Sequence, residues 1–304
     1  MQQKLFYLSI FICLNLLPAQ ENNRYWIYFR DKSPYSAEGV LYSADVTLSP
    51  RSIQRRFSKT AAVNFDHTDI PVSKKYIRSL EHLGLKIHQT SRWLNAVSVD
   101  LCQIPTQTVI DLSFVDKIEP VRRMRFQRSK DAVSGILSKV VQEEYGPSWN
   151  QNQTIGIPFA HQLGYHGEGV LIAIFDTGFI LEHDALKNTK VKATWDFVNN
   201  DENVANENGD LPSQHNHGTE VLGIIAGYLP GELIGPAYAS EYLLAKTEDL
   251  RSETHVEEDN WVAAAEWAEA LGADIISTSV VYISSPSMLL SNKSALPPGY
   301  GSLF

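Results

Sequence analysis

The stretch Val170-Leu171-Ile172-Ala173-Ile174-Phe175-Asp176-Thr177-Gly178 decides how the chain is read. Six uncharged, mostly large apolar residues run directly into an acid, a hydroxyl and a glycine. A run of this kind, partly β-branched and bounded by glycines, predicts a strand buried on both faces of a parallel sheet. Open α/β sheets carry their chemistry outside the carboxyl ends of the strands, which makes Asp176 a candidate functional residue. Asp-Thr-Gly is equally a sound turn after any core strand, so a purely structural reading stands beside the functional one.

Toward the carboxyl end, His215-Asn216-His217-Gly218-Thr219-Glu220 precedes Val221-Leu222-Gly223-Ile224-Ile225-Ala226-Gly227. Apolar residues at 221, 222, 224 and 225 predict a buried helix with His217 in its first turn. The positive end of a helix dipole biases a histidine toward the neutral form that a general base needs. Gly218 leaves room for another segment to approach closely. A strand at Tyr242 to Thr247, a helix from about Val256 to Leu271 and a strand at Asp274 to Val280 complete an alternation that predicts a parallel sheet with right-handed crossovers. The tract from Asn199 to Asn216 is polar; Asp196, Asp201, Glu202 and Asp210 read as a solvated loop more than as a calcium site.

Toward the amino end, Tyr25 to Phe29 reads as a strand, Ser49-Pro50 followed by Arg51 to Phe57 as a capped basic helix, and Pro71 to Leu83 as a helix stopped by Gly84. Strands at Leu85 to His88 and Leu94 to Leu101, a short helix at Thr106 to Leu112 and a strand at Val115 to Pro120 follow. The order β-α-β-β-α-β with one extra early helix is the split ferredoxin-like pattern. Residues 121–150, with Arg122, Arg123, Arg125, Arg128 and Lys130, read as a linker open to proteolysis. Before all of this, Lys4, the apolar run Leu5 to Leu17 and Pro18-Ala19-Gln20 have the layout of a secretory signal peptide, too short for a membrane span.

The 304 residues, 43% hydrophobic and 20% charged, are enough for about two globular domains. Of the two cysteines, Cys13 lies in the signal segment, leaving Cys102 without an intramolecular partner in the exported chain. The net charge of -9 is unevenly spread: residues 21–142 hold 19 basic against 12 acidic side chains, and residues 143–304 hold 6 against 23. The two halves should attract one another.

Together, Asp176 and His217, in the order acid then base, resemble the subtilisin-like serine peptidases (subtilases). Tyr145-Gly146 with the segment from Leu163 to Gly169 resembles the start of the mature enzymes, and Ala273 to Ser279 the substrate-pairing strand; the likeness spans about residues 145–282. It implies a partial subtilisin-like α/β domain, a parallel sheet with helices on both faces, over residues 145–304. A ferredoxin-like α+β propeptide over residues 21–128 would precede it, with a signal peptide at 1–20 and a maturation site in a linker at 129–144. It further implies a secreted serine endopeptidase acting on polypeptides, restrained by its own propeptide, in which His217 takes a proton from a serine and Asp176 holds the imidazole. Ser279, Val280 and Val281 would line the substrate path. No cofactor is required, and neither nucleic acid nor membrane is a partner.

Several positions depart from the family pattern. No Gly-Thr-Ser-x-Ala occurs; Lys293-Ser294-Ala295-Leu296-Pro297 is the nearest imitation and lacks both context and spacing, so no nucleophile is assigned and the chain is expected to be a truncated, inactive form. Val281 stands where the family usually has glycine, and His183-Asp184-Ala185-Leu186 carries alanine where a calcium-ligating aspartate is often found, so no metal site is assigned. One alternative is a non-catalytic fragment that binds. A remoter one is a metal-dependent hydrolase using His215, His217, Asp176 and His183.

Overall fold

The computed structural model describes residues 24–34, 48–60, 66–101, 104–121, 123–124, 142, 144–252 and 256–279. The signal segment, Cys102, most of the 129–144 linker, Val280 and Val281 lie outside the described residues.

The first half contains β1 (Arg24–Phe29), α1 (Pro50–Thr60), α2 (Lys74–His82), β2 (Ile87–Ser91), β3 (Ala96–Asp100), α3 (Thr106–Ile110) and β4 (Val115–Pro120). The strands form an antiparallel sheet in the order β2-β3-β1-β4, the arrangement of the split ferredoxin-like pattern. Ile27, Val97, Val99 and Val115 pack on Tyr76, Leu80 and Val109 of the helices. Each fully buried aliphatic side chain in such a core contributes roughly 1.5–3 kcal/mol. At α1, the Ser49 hydroxyl accepts the Ser52 amide at 3.0 Å, the cap that Ser-Pro suggests. Helix α2 starts later than its apolar spacing indicates. The buried Lys32 ammonium donates to the carbonyls of His67, Ile70 and Arg92 at 2.6–2.7 Å, which holds the preceding segment as a loop. Gly84, at φ +88°, closes α2 with the Leu85 amide donating back to Leu80.

Arg123–Met124 form a short strand, β5, inside the stretch expected to be pure linker. After it come α4 (Trp149–Thr154), α5 (Ile157–Gln162), β6 (Leu171–Asp176), β7 (Lys190–Asp196), α6 (Asn216–Ala226), the hairpin β8 (Tyr228–Leu229) and β9 (Leu233–Ile234), β10 (Glu241–Lys246), β11 (Val256–Glu257), α7 (Glu258–Leu271) and β12 (Ile275–Thr278). The expected helix start at Val256 is corrected: residues 256 and 257 are extended because they pair antiparallel with β5. Strand β7 lies where the sequence pattern predicts no element. Its Val191, Ala193 and Trp195 alternate with Lys190, Lys192 and Thr194, the lysine-decorated pattern of a sheet edge.

The sheet runs β12-β6-β10-β7, all parallel. Every residue of β6 is buried. Leu171, Ala173 and Phe175 face Ala264, Ala265 and Ala268 of α7, while Ile172 and Ile174 face Leu222 and Ala226 of α6. With helices on both faces, the carboxyl ends of β6 and β10 lie side by side at the end of the sheet where such folds hold their chemistry.

The two halves meet along α7, and charge does part of the joining. Arg92 donates to Glu269 at 2.9 Å, Arg55 and Arg56 donate to the other oxygen of the same carboxylate, and Arg56 also takes Asp69. Glu266 accepts from the Ser91 hydroxyl at 2.6 Å and from the amides of Arg92 and Trp93 at 3.0 and 3.1 Å. Ser98, on the second face of β3, donates to Asp259 at 2.7 Å. This is why β3 is buried on both sides.

Candidate active site

Asp176 ends β6 in register with Lys246 of β10, and its side chain is fully buried. Its Oδ1 accepts the Thr177 amide at 2.8 Å and meets His217 Nδ1 at 2.7 Å. With Nδ1 carrying hydrogen toward the carboxylate, Nε2 keeps the lone pair that can receive a proton. The His217 side chain is 27% exposed, so the ring is reachable from solvent.

The two motifs interlock through atoms to which the sequence pattern assigns no part. The Gly218 amide donates to Thr177 Oγ1 at 3.3 Å, and the Ile180 amide to Thr219 Oγ1 at 2.8 Å. A Cβ at Gly218 would collide with the Gly178 carbonyl and sit 3.0 Å from Asp176 Cβ, so the close approach anticipated at this glycine is made by the Asp-Thr-Gly turn itself. Gln214, wholly buried, donates through Nε2 to the carbonyls of Thr177 and Glu248 at 2.8 and 2.6 Å and accepts the Leu250 amide at 2.9 Å. It ties the ends of β6 and β10 to the segment that begins α6. No periodicity or motif marks it; an isolated glutamine in a polar tract carries no signal.

The expected electrostatics of His217 need correction. Its hydrogen bond to Asp176 raises its proton affinity above the usual 6.5, outweighing the burial that lowers it. A carboxylate in contact is a stronger influence than the partial charge of a helix end.

The acidic tract is corrected as well. Asp196 and Asp210 are not solvated: both are buried against the fully buried Lys246, at 2.8 and 2.7 Å. The two carboxylates outweigh burial and raise the lysine's proton affinity. Asp196, Asp201 and Glu207 place ligand-type atoms within 4.8 Å of one another, but the Asp196 oxygens already serve Lys246 and the amides of Val198 and Asn199.

Among the described residues, His215, His217, Asp176 and His183 do not bring three ligand atoms within 4.8 Å of one another. His215 Nδ1 accepts the Asn206 amide and His183 Nδ1 the Ala185 amide, so each histidine pins its own loop. Ala185 is buried beside Leu186. Ser279 follows β12 and is half-buried, while Val280 and Val281 fall outside the described residues.

Comparison with known proteins gives two matches along the chain. Residues 24–134 match the peptidase S8 propeptide domain of Bacteroidota, and residues 167–295 match the subtilase family. The chain is 27% identical to bacillopeptidase F of Bacillus subtilis (strain 168) over 203 residues, 61% of this chain and 14% of that protein. It is 33% identical to thermitase of Thermoactinomyces vulgaris over 142 residues, 45% of this chain and 44% of that protein. It therefore spans less than half of either relative. The crystal structure of the epidermin leader peptide processing serine protease from Staphylococcus aureus shares the fold, with a TM-score of 0.51 at 14% identity over 84% of this chain and 49% of that one.

Proposed function

Because the chain belongs to the subtilase family, we propose that it is the precursor of a secreted serine endopeptidase in which Asp176 and His217 are the acid and base of the triad. The observation that carries this reading is the 2.7 Å contact between His217 Nδ1 and a buried carboxylate at the end of the central parallel strand. In the reaction, His217 Nε2 takes the proton of a serine hydroxyl as the oxygen attacks a peptide carbonyl, and Asp176 holds the tautomer and stabilises the imidazolium. Ser279, Val280 and Val281 are proposed to flank the substrate.

The first half is proposed to act as propeptide and intramolecular inhibitor. Two features support this: the charged contact along α7, and the β5–β11 ladder. The strands are antiparallel, with Val256 opposite Met124 and Glu257 opposite Arg123. Domain limits of 21–128 and 145–304, maturation between Arg128 and Glu144, and export directed by residues 1–20 belong to the same proposal. Among the described residues no helix is long and apolar enough to cross a membrane. No resident metal or cofactor enters this chemistry.

The 304 residues contain no Gly-Thr-Ser-x-Ala, so this polypeptide by itself is proposed to be inactive. A serine-directed fluorophosphonate probe should leave it unlabelled, and casein should be untouched. Joining the carboxyl-terminal segment of a full-length relative should restore hydrolysis that Asp176→Asn and His217→Ala each abolish. Labelling of the 304-residue chain, or a restored activity indifferent to His217, would refute the assignment. The non-catalytic alternative is favoured by the extent of the α7 contact alone, and predicts no rescue.

A further inference from the structure

Glu248 lies two residues past β10, on a segment lashed to the end of β6. The Thr247 amide donates to the Asp176 carbonyl at 2.9 Å, and Gln214 holds the Glu248 carbonyl and the Leu250 amide. The Glu248 side chain is 4% exposed, and its Oε1 has no hydrogen-bond partner among the described residues. Asp176 Oδ2 is likewise buried and without one. A buried carboxyl oxygen left unpaired costs free energy unless the group is neutral or a cation stands nearby. The Thr247–Asp176 backbone bond sets Glu248 at the strand end where Asp176 of β6 holds His217 of α6 at 2.7 Å, and the charges of these two groups act on it. Lys246 is committed to Asp196 and Asp210, and Arg251 to Asp249.

We infer that Glu248 is a positioning residue of this site: a buried carboxyl group that stays neutral while His217 is neutral, and whose ionisation is coupled to the charge on the imidazole. Burial, then the charge of Asp176, push its proton affinity up to about 8, while His217 pulls the other way. Coupling between two sites is reciprocal, so an ionised Glu248 favours the imidazolium in turn. Glu248 does not touch the reacting atoms; it acts through His217. Its effect on turnover rests on the proposed peptidase chemistry, but its titration does not.

The test is a carboxyl ¹³C and imidazole ¹H NMR titration of the whole 304-residue chain, wild type against Glu248→Gln, Asp176→Asn and His217→Gln. One glutamate resonance should titrate at about 8 and vanish in Glu248→Gln; it should move down in Asp176→Asn and up in His217→Gln. The His217 C2–H curve should carry a second inflection at the same pH, absent from Glu248→Gln. Every glutamate titrating in the ordinary carboxylate range, or a His217 curve unchanged by Glu248→Gln, overturns the inference. If Glu248→Gln does not fold, Glu248→Asp supplies the assignment, and the wild-type curves decide in the same way. Probe labelling of the serine-bearing extended chain tests the peptidase reading separately, so either can fail alone.

Discussion

Replacing Glu266 by alanine removes one carboxylate that accepts three hydrogen bonds from the turn between β2 and β3: Ser91 Oγ at 2.6 Å, and the amides of Arg92 and Trp93 at 3.0 and 3.1 Å. Bonds to a charged group contribute about 1.5–3 kcal/mol each. They do not add fully, because they share one acceptor. Burial also pushes the Glu266 carboxyl up, a cost that the substitution relieves. The net loss should therefore resemble that of breaking a buried ion pair, about 3–5 kcal/mol. At 1.4 kcal/mol per tenfold, opening of the first half away from α7 becomes roughly 10²–10⁴ times more frequent. Native-state hydrogen exchange on the full chain reads this at the Ser49 amide, which donates to the Ala270 carbonyl of α7 across the contact at 2.8 Å and keeps that acceptor in the variant. Glu266→Gln keeps one acceptor oxygen and should lose about 1–2 kcal/mol, in line with neutral hydrogen bonds. Exchange at the Ser49 amide within tenfold of wild type, with α7 still protected, would mean that apolar packing rather than this carboxylate holds the halves together.

Lys246→Met leaves Asp196 and Asp210 buried without their cation and should cost about 3–5 kcal/mol, seen as a fall in the urea midpoint. A loss below about 1 kcal/mol would show that backbone amides alone satisfy those carboxylates. Gly218→Ala drives a methyl group into the Gly178 carbonyl and should part His217 from Asp176, returning the imidazole titration toward 6.5; an unmoved titration counts against the interlock. Acid should loosen the halves. Burial alone would raise Asp69 and Glu269, but the arginine hydrogen bonds outweigh it and both are lowered from 3.8 and 4.5. Their contribution is present above those values and is lost as pH falls below them; Glu266, raised by burial, works in the opposite direction. Opening at the α7 contact, read as the protection factor of the Ser49 amide, should therefore accelerate only below about pH 4.5. Acceleration in the neutral range would refute this charge assignment.

Much of the architecture is legible in local pattern. Continuous apolar runs such as 170–175 bury on both faces whatever surrounds them, and Ser49-Pro50 and Gly84 mark helix ends by backbone chemistry that needs no tertiary partner. Edge strand β7 is harder to see because its lysines, which suit an edge, dilute the apolar signal.

The sequence by itself determined the buried strand ending in Asp176, the helix opening at His217, the ferredoxin-like order ahead of them and the opposite charge of the two halves, because each follows from periodicity, caps or composition. Only the tertiary structure decided what those groups meet. Asp196 and Asp210 enclose Lys246 instead of facing water, Val256 pairs with Met124 instead of opening a helix, and His217 has its proton affinity raised by Asp176 instead of lowered by its helix. Gln214 and Glu248 enter the site only through contacts between segments 34 to 37 residues apart. The charge state and partners of a side chain depend on distances across the fold, and local pattern does not carry those distances.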